Sequence, residues 1–338
     1  MSSPAEKLPV IGVSGLVATL RAVSEETRLR IIALLAEGEL SVSDLTDILG
    51  QSQPRISRHL KVLVEAGVLE RHREGAWAFF RLAEGMSTGL LQPILAGLDP
   101  QDPGLSEDRE RLAGVRAERS RAAQSFFARL APRWDELRSL QVAEEAVETA
   151  ILDVVGPGRL GTILDLGTGT GRMLQLLAPR AARAVGLDAS HAMLSVARAN
   201  LARSGQARVD LRQGDIYAPP LVRGGFDLIL VHQVLHYLDD PARALAQAAR
   251  LLAPGGRLLV VDFAPHGLEF LRETQAHRRL GFAREQVSAW LDEAGLDSRH
   301  AGDLAPSDGQ GDKLTVSLWL GCDRQVAPAS TIHDREVA

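Results

Sequence analysis

The chain has 338 residues, of which 45% are hydrophobic and 24% are charged, and its formal net charge is −5 at pH 7. A chain of this length predicts two domains and a linker, since domains typically run to about 100–200 residues, and its composition excludes a fibrous or wholly disordered protein. The apolar runs are shorter than a membrane helix requires and the N-terminus lacks a secretory pattern, so we expect a cytoplasmic protein with no membrane partner.

The first pattern in the chain, over residues 13–82, is typical of four helices followed by a β-hairpin. Ser24 is expected to open a helix that ends at Gly38. Ser41 is a candidate N-cap for the next helix, with Asp44 three residues later as in a capping box and Gly50 as the terminator. This pattern predicts a compact helical domain with a hairpin, which is an α+β fold.

The segment PRISRHLKVLVEAG predicts a helix whose polar side chains suit DNA. Pro54 fits the first turn, and the exposed positions carry cations and short hydrogen-bonding groups, which are the types that contact base edges and phosphates in the major groove. The strands VLERHR and WAFFRLA then form a basic hairpin, and together these elements predict a winged helix-turn-helix. The candidate DNA-binding residues are Gln53, Arg55, Ser57, Arg58, His59, Lys61, Arg71 and Arg73.

The stretch SQPRISRHLKVLVEAGVLERHREG resembles the recognition helix and wing of ArsR/SmtB-type transcriptional regulators, and the resemblance covers roughly residues 14–83. It implies a homodimer on a two-fold, double-stranded operator, with flanking helices near residues 14–22 and 87–97 at the interface. Metal-sensing members carry a pattern like ELCVCDL where this chain has ELSVSDL. Ser41 and Ser43 are poor ligands for soft metals, and Cys322 is the only cysteine, so we expect no metal site and no intrachain disulfide.

The segment DPQDPG predicts the end of this domain. We assign residues 10–98 to the DNA-binding and dimerisation domain, and residues 99–124 to a linker with a long exposed helix. The arginine-rich part of that helix either contacts DNA or a partner, or is a solvated face, and we favour the solvated face.

From residue 125 to 322 we predict a second domain, and we expect the tail at 323–338 to be disordered. Five apolar strands alternate with helices, namely TILDLG, AVGLDA, ARVDLRQGD, FDLILVH and RLLVVDF. This alternation predicts a Rossmann-like α/β fold with a mostly parallel, doubly wound sheet, in which ligands bind beyond the carboxyl ends of the strands.

A glycine loop follows the first of these strands, after Asp165. Gly167, Gly169 and Gly171 allow tight turns and bring backbone N–H groups close to a ligand at the start of the next helix. The dinucleotide fingerprint requires glycine where this chain has Arg172, so the spacing favours S-adenosylmethionine (SAM) over a nicotinamide cofactor.

Two carboxylates follow the next two strands. Asp188 is positioned to accept hydrogen bonds from ribose hydroxyls, and Asp215 to accept one from an adenine amino group, with Ile216 against the ring. Either acid alone is more typical of a cap or a turn, but three such features in this order favour a nucleoside ligand.

The ordered motifs ILDLGTGTGRM, VGLDAS, GDIYAPP, FDLILVHQVLHYLDDPARAL and LLAPGGRLLVVDF resemble class I SAM-dependent methyltransferases, especially the ubiquinone/menaquinone C-methyltransferase-like group. The resemblance implies SAM or S-adenosylhomocysteine as the cofactor, and a final antiparallel strand at KLTVSLWLG. The expected cofactor-binding residues are Asp165, Gly167, Thr168, Gly169, Gly171, Asp188, Ala189, Met193, Gly214, Asp215, Ile216, His232 and Gln233.

No catalytic residue is assigned from the sequence, although His232, His236, Tyr217 and Asp262 are candidate bases near strand ends. One cysteine cannot supply the thiolates that arsenic methylation needs, and the fourth strand lacks the motif of amino-methylating DNA methyltransferases. Two hypotheses stay open. The first is a DNA-binding regulator that responds to SAM or S-adenosylhomocysteine; the alternative is an active methyltransferase of a small molecule whose winged helix regulates its own pathway.

Overall fold

The structure is a computed structural model that describes residues 12–74, 77–83, 86–131, 134, 144–206, 209–305 and 314–324. The chain divides into two compact units, Met1–Ala122 and Ala123–Ala338. Each unit has its own hydrophobic core, as the chain length predicts.

The first unit is a winged helix-turn-helix, as predicted. Its three-stranded antiparallel sheet has the order β1-β3-β2. The elements, in chain order, are α1 (Val13–Val23), α2 (Glu26–Leu35), β1 (Leu40–Ser41), α3 (Val42–Leu49), α4 (Gln53–Glu65), β2 (Leu69–Glu74), β3 (Trp77–Leu82) and α5 (Met86–Ala96).

The predicted helix ends are confirmed at α3 and shifted at α2. Ser41 and Asp44 form the reciprocal capping box, and Gly50 ends α3 with φ of +62°. At α2, however, the N-cap is Glu25 and not Ser24, because the Glu25 carboxylate accepts a hydrogen bond from the Arg28 backbone N–H at 2.9 Å. A longer acidic side chain therefore takes the capping role that the sequence suggested for its serine neighbour.

A long helix, α6 (Pro103–Leu130), follows α5, and the expectation that it is exposed is corrected by its contacts within the first unit. Leu105 and Leu112 are buried, and Leu112 packs in the same core as α2, α3 and α4. The Asp108 carboxylate is also buried and receives two hydrogen bonds from the Arg30 guanidinium, at 2.6 and 2.7 Å. This part of α6 is thus a core helix of the first unit and not a solvated linker.

The second unit contains a seven-stranded sheet with the order β6-β5-β4-β7-β8-β10-β9. All neighbouring pairs are parallel except those that β10 makes with β8 and β9. The chain crosses from one side of β4 to the other between β6 and β7, which puts the topological switch point between β4 and β7. The strands are β4 (Leu160–Leu166), β5 (Ala181–Asp188), β6 (Asp210–Gln213), β7 (Phe226–His232), β8 (Leu252–Phe263), β9 (Leu296–Leu304) and β10 (Val316–Asp323).

Helices cover both faces of this sheet, because alternate residues of each buried strand point to opposite sides. On β8, Leu259 and Val261 pack on one face while Leu258 and Val260 pack on the other. The helices are α7 (Glu144–Val155), α8 (Arg172–Leu177), α9 (His191–Arg203), α10 (Pro241–Leu251), α11 (Phe270–Thr274) and α12 (Arg284–Glu293).

The mostly parallel, doubly wound sheet and its final antiparallel strand are confirmed, while the edge strand β9 was not predicted. Its sequence, LDSRHAGDL, contains few apolar residues, and charged side chains of this kind are common on edge strands. Among the helices that the structure describes, none is both long and apolar enough to cross a membrane.

Candidate functional site

The glycine loop between β4 and α8 takes the conformation that its sequence suggests. Gly167, Gly169 and Gly171 all have positive φ, at +75°, +52° and +83°. A Cβ on Gly167 would lie 2.4 Å from a methyl group of Val234, and one on Gly171 would lie 3.2 Å from Ala197. Packing therefore requires two of the three glycines.

The middle glycine faces open space. A Cβ on Gly169 would approach only the Trp134 indole nitrogen, at 4.0 Å, among the atoms that the structure describes. The backbone at Gly169 is therefore accessible to a ligand, as expected for a loop that cradles a cofactor at a helix N-terminus.

Asp188 ends the strand next to this loop and holds it in place. One carboxylate oxygen accepts a hydrogen bond from the Gly169 N–H and the other from the Ser190 N–H, both at 2.8 Å. Burial raises the pKa of Asp188 above its ordinary value, although these two N–H groups act in the opposite direction. The carboxylate thus links the glycine loop to the end of β5.

Asp215 lies after β6 and is exposed. Its Oδ1 accepts a hydrogen bond from the Tyr217 N–H at 2.9 Å, so it also shapes its own turn. Ile216 packs on the face of the sheet that carries Leu258 and Val260. Gly214 donates its N–H to the carbonyl of Asp188 at 3.0 Å. The ends of β5 and β6 are therefore joined directly, which brings the two predicted carboxylate positions to one edge of the sheet.

Three of the predicted cofactor residues are buried supports. The Thr168 hydroxyl donates to Asp165 at 2.7 Å, and both side chains are almost fully buried. Met193 is buried as well, and its N–H is capped by Ser190, whereas Ala189 is exposed beside Asp188.

The end of β7 carries a strained residue at the switch point. His232 is half-buried there, and Gln233 has φ of +54°, a conformation that costs a residue with a side chain about 1–3 kcal/mol. Its N–H donates to the Val261 carbonyl at 2.7 Å, which fixes the turn. Strain of this kind is common where a backbone is shaped for a ligand.

Two of the candidate bases, His236 and Asp262, form a buried pair. The His236 Nδ1 and Asp262 Oδ1 lie 2.7 Å apart, and the other carboxylate oxygen accepts the Leu235 N–H at 2.9 Å. A third candidate, Tyr217, instead accepts a hydrogen bond from the Asp240 N–H at 2.9 Å, and burial raises the pKa of its hydroxyl. The geometry thus favours His236 over Tyr217 as a base.

Two further histidines, which the sequence did not single out, lie beside this pair. The ring centroids of His236 and His277 are 4.3 Å apart, and those of His277 and His266 are 6.4 Å apart. Burial, followed by the neighbouring imidazoles, lowers the pKa of His266 to about 4 and that of His277 well below its usual range. Both rings are therefore neutral at pH 7. The two residues are 30 and 41 positions along the chain from His236, so no local pattern indicates that they meet.

In the first unit, α4 presents a polar face. Its apolar residues Ile56, Leu60 and Leu63 are buried, while the positions between them are open to solvent. The predicted DNA-binding residues that are exposed are Gln53, Arg55, Ser57, Arg58, Lys61 and Arg71.

Among the predicted DNA-binding residues of α4, His59 is the least exposed. Its side chain is only 13% exposed and its Nδ1 lies 3.5 Å from a carboxylate oxygen of Glu25. Burial lowers the pKa of His59, although Glu25 acts in the opposite sense. The ring therefore packs within the domain. Arg73 lies on β2, but its side chain is outside the part of the chain that is described.

The exposed helix of the first unit and the strand-end site of the second define the class of the protein: a winged-helix DNA-binding domain joined to a Rossmann-like domain of the methyltransferase type. Two family models match the chain. The model for bacterial regulatory proteins of the arsR family matches residues 25–71, and the model for a methyltransferase domain matches residues 164–260.

Sequence relatives match each of the two domains. The arsenic resistance transcriptional regulator ArsR1 of Pseudomonas putida is 40% identical over 94 residues, which is 28% of this chain and 73% of that protein. A demethylmenaquinone methyltransferase of Thermus thermophilus is 36% identical over 152 residues, which is 41% of this chain and 65% of the enzyme, so the match spans less than two thirds of its length.

A solved SAM-dependent methyltransferase from Thermotoga maritima is 22% identical, with a TM-score of 0.45, and the match covers 59% of this chain and 99% of that one. From the family models and the sequence relatives, the chain belongs to the arsR family of bacterial regulatory proteins and carries a methyltransferase domain behind its winged helix.

Proposed function

We propose that the protein is a DNA-binding repressor-type regulator whose methyltransferase domain is its effector site, and that SAM or S-adenosylhomocysteine changes its affinity for operator DNA. The observation that carries this proposal is the cofactor cradle. Gly169 opens to a ligand at the switch point, and Asp188 and Asp215 follow the next two strands. The residues present fit the nucleoside, and SAM supplies a transferable methyl group when it is bound.

Helix α6 supports a coupling between cofactor and DNA. Its Arg119 forms an ion pair with the buried Asp44 of α3, and its Arg111 donates to the Ile48 carbonyl at 3.0 Å. The same helix continues past Ala122, where the first unit ends. Its Phe126 and Phe127 pack in the second unit, where the ring centroids of Phe127 and Tyr237 lie 4.9 Å apart. A shift in the last turns of α6 would therefore act on the helix that precedes the recognition helix.

We further propose that the regulator acts as a homodimer on a two-fold operator. Three apolar residues of α1 are exposed at helical spacing: Val13 at 81%, Val17 at 40% and Leu20 at 42%. An apolar stripe of this kind on a terminal helix suits a symmetric contact with a second copy.

The test is binding of the purified full-length protein to labelled DNA from its own promoter region, titrated with and without SAM or S-adenosylhomocysteine. We expect one of the two ligands to shift the dissociation constant by about 5–150-fold, the usual range of allosteric coupling. An unchanged constant, while calorimetry shows that both ligands bind, would exclude the effector role.

Two aspartate variants sharpen this test. Asp215→Ala removes an exposed carboxylate at the proposed adenine position, and we expect it to abolish the ligand-dependent shift. Asp297→Ala is the matched control, because Asp297 is exposed and pairs with Arg324 at 2.7 Å on an edge strand away from the strand-end site. An equal loss in both variants would show that the effect is not specific to the cofactor site.

A further inference from the structure

The strongest unexplained feature of the methyltransferase domain is a set of buried imidazole nitrogens that have no hydrogen-bond partner among the described residues. They are Nε2 of His236, Nε2 of His266, and both ring nitrogens of His277. Leaving a buried polar group without a partner is costly, and such groups often mark a site that a ligand completes.

His236 is held in a defined orientation. Its Nδ1 lies 2.7 Å from Oδ1 of Asp262. The Asp262 carboxylate also accepts hydrogen bonds from the backbone N–H groups of Leu235, at 2.9 Å, and Phe263, at 2.8 Å. Because those N–H groups keep the carboxylate in place, it can hold a proton on Nδ1 and leave the Nε2 lone pair free. This is the arrangement in which an acid orients a histidine that acts as a base.

The histidines adjoin a group of aromatic rings. The rings of Tyr237 and His236 are 4.0 Å apart, and Phe127 lies 4.9 Å from Tyr237 and 5.4 Å from Trp134. The Trp134 indole nitrogen is in turn the atom nearest to the open side of Gly169. The aromatic rings therefore connect the histidines to the place where the cofactor is proposed to bind.

The cluster does not have the geometry of a metal centre, since no three His, Cys, Asp or Glu side chains in the described part of the chain are arranged to hold an ion. Flat rings and neutral imidazoles suit a different ligand, namely a flat aromatic molecule that carries a hydroxyl group.

We propose that this cluster is the acceptor site of an active methyltransferase, that it binds a small aromatic molecule with a hydroxyl group, and that His236 is the catalytic base. The inference rests on the SAM binding in the proposed function and adds turnover to it. His277 and His266 bind the acceptor, and Asp262 is a positioning residue that acts through His236.

In the reaction, the acceptor hydroxyl gives its proton to Nε2 of His236, and its oxygen forms a bond to the methyl carbon. The bond between that carbon and the sulfonium sulfur breaks, and its electron pair stays on sulfur, so the thioether S-adenosylhomocysteine leaves. The proton makes His236 an imidazolium, which the Asp262 carboxylate stabilises. No other reactant is needed.

The test uses the full-length protein loaded with S-adenosylhomocysteine, so that no turnover occurs, and 4-nitrocatechol as the probe, because its visible absorption changes when it ionises. We expect binding to raise the ionisation constant of the probe at least tenfold. His236→Gln should remove this change, and His300→Gln is the control, since His300 pairs with Asp303 on edge strand β9. A bound probe that ionises as it does in solution, or no binding at millimolar concentration, would overturn the proposal.

A second variant separates function from folding. The His277 ring stacks on Phe263, with centroids 5.7 Å apart and 15° between the planes, so His277→Phe keeps the ring and removes two unpartnered nitrogens. We expect this variant to melt at a higher temperature than the wild type and to bind the probe at least tenfold more weakly. A variant that binds the probe as the wild type does would contradict the proposed role of His277.

Calorimetry with SAM and with S-adenosylhomocysteine on the same proteins, before either ligand is added, distinguishes the two proposals. If SAM binds but the probe does not, only the acceptor site fails. If neither SAM nor S-adenosylhomocysteine binds, the proposed effector function fails with it.

Discussion

At the scale of single residues, the glycine loop shows how one motif serves both packing and binding. Gly167 and Gly171 are needed because their Cβ positions are occupied by Val234 and Ala197, whereas Gly169 has room on its open side. The sequence predicts the motif but cannot distinguish these two roles, because the side chains that crowd Gly167 and Gly171 come from other parts of the chain.

We therefore expect Gly167→Ala and Gly169→Ala to behave differently. Gly167→Ala combines a left-handed conformation with a Cβ only 2.4 Å from a Val234 methyl carbon, and it should lower the free energy of unfolding by about 2–4 kcal/mol. Gly169→Ala bears only the conformational cost of about 1–2 kcal/mol, and should weaken SAM binding at least tenfold. Urea unfolding and calorimetry measure the two effects. A Gly169→Ala protein with wild-type affinity would show that the cofactor does not approach this glycine.

The residue scale also shows where local rules of sequence fail. Ser24 has the preferred residue type for a cap, but the Glu25 side chain reaches the Arg28 N–H. His59 has the chemistry of a DNA contact and the position of a base-reading residue, yet its ring lies against Glu25. The change of cap is local, because the Ser24 hydroxyl instead donates to the Arg21 carbonyl at 3.1 Å. The direction of the His59 ring depends on a tertiary neighbour that the local pattern does not contain.

At the scale of elements, α6 is the largest difference between expectation and structure. Its sequence is rich in charge, which is typical of a solvated face, but the arginines pair with groups of the winged helix while Leu112 enters the core. The alternating strands of the second domain were predictable because their apolar runs are long and regular. The packing of the charged helix was not predictable, because the local pattern of charged residues is the same whether they face solvent or a partner.

Arg119 should therefore stabilise α3. Its ion pair with Asp44, a fully buried carboxylate, should contribute about 1–3 kcal/mol, whereas Arg109, which is exposed and 3.5 Å from Glu37, should contribute less than about 1 kcal/mol. We expect Arg119→Ala to speed hydrogen exchange in residues 42–49 by about 5–150-fold. Arg109→Ala should stay within about fivefold of the wild type, which corresponds to the limit of about 1 kcal/mol for a surface ion pair. Equal exchange in both variants would mean that the buried pair does not hold α3.

His266 and His277, which lie between β8 and α12, make the stability of the methyltransferase domain depend on pH. The pKa of His266 falls from 6.5 to about 4 on folding, so between these values the unfolded chain binds more protons than the folded one. The free energy of unfolding should therefore decrease as pH falls from about 6.5 to about 4, and because solvent screens the partly exposed His266, this group contributes less than about 3 kcal/mol. The lowered pKa of His277 acts in the same direction.

Unfolding of the second domain, followed by tryptophan fluorescence at several pH values, checks this dependence. We expect the slope between about pH 6.5 and 4 to be smaller in His266→Gln and in His277→Phe than in the wild type. If both variants keep the wild-type slope, the acid sensitivity arises from other groups.

At the scale of the whole molecule, the two-domain organisation and the family follow from sequence motifs alone, but the site that would define chemistry does not. The sequence indicates His236 and Asp262 only as candidate bases. His266 and His277 join them because the segment after β8 returns to the end of β7. There the backbone N–H groups of Arg278 and Arg279 donate to the His236 carbonyl at 2.8 and 3.0 Å. Contacts between distant segments of this kind have no signal in one sequence.

The assembly of the molecule should depend on the apolar stripe of α1. Charged residues at Val17 and Leu20 would have to be buried without partners in a symmetric interface, which costs several kcal/mol per interface. We expect the double variant Val17→Asp, Leu20→Asp to have the chain mass of 36.4 kDa by light scattering, and the wild type twice that mass. Operator affinity should fall at least 100-fold, because two linked recognition helices bind a two-fold site far more tightly than one. Val222→Asp is the control, since Val222 is an exposed valine of the second unit, at 80% against 40% for Val17. A double variant that stays dimeric would assign the interface to another surface.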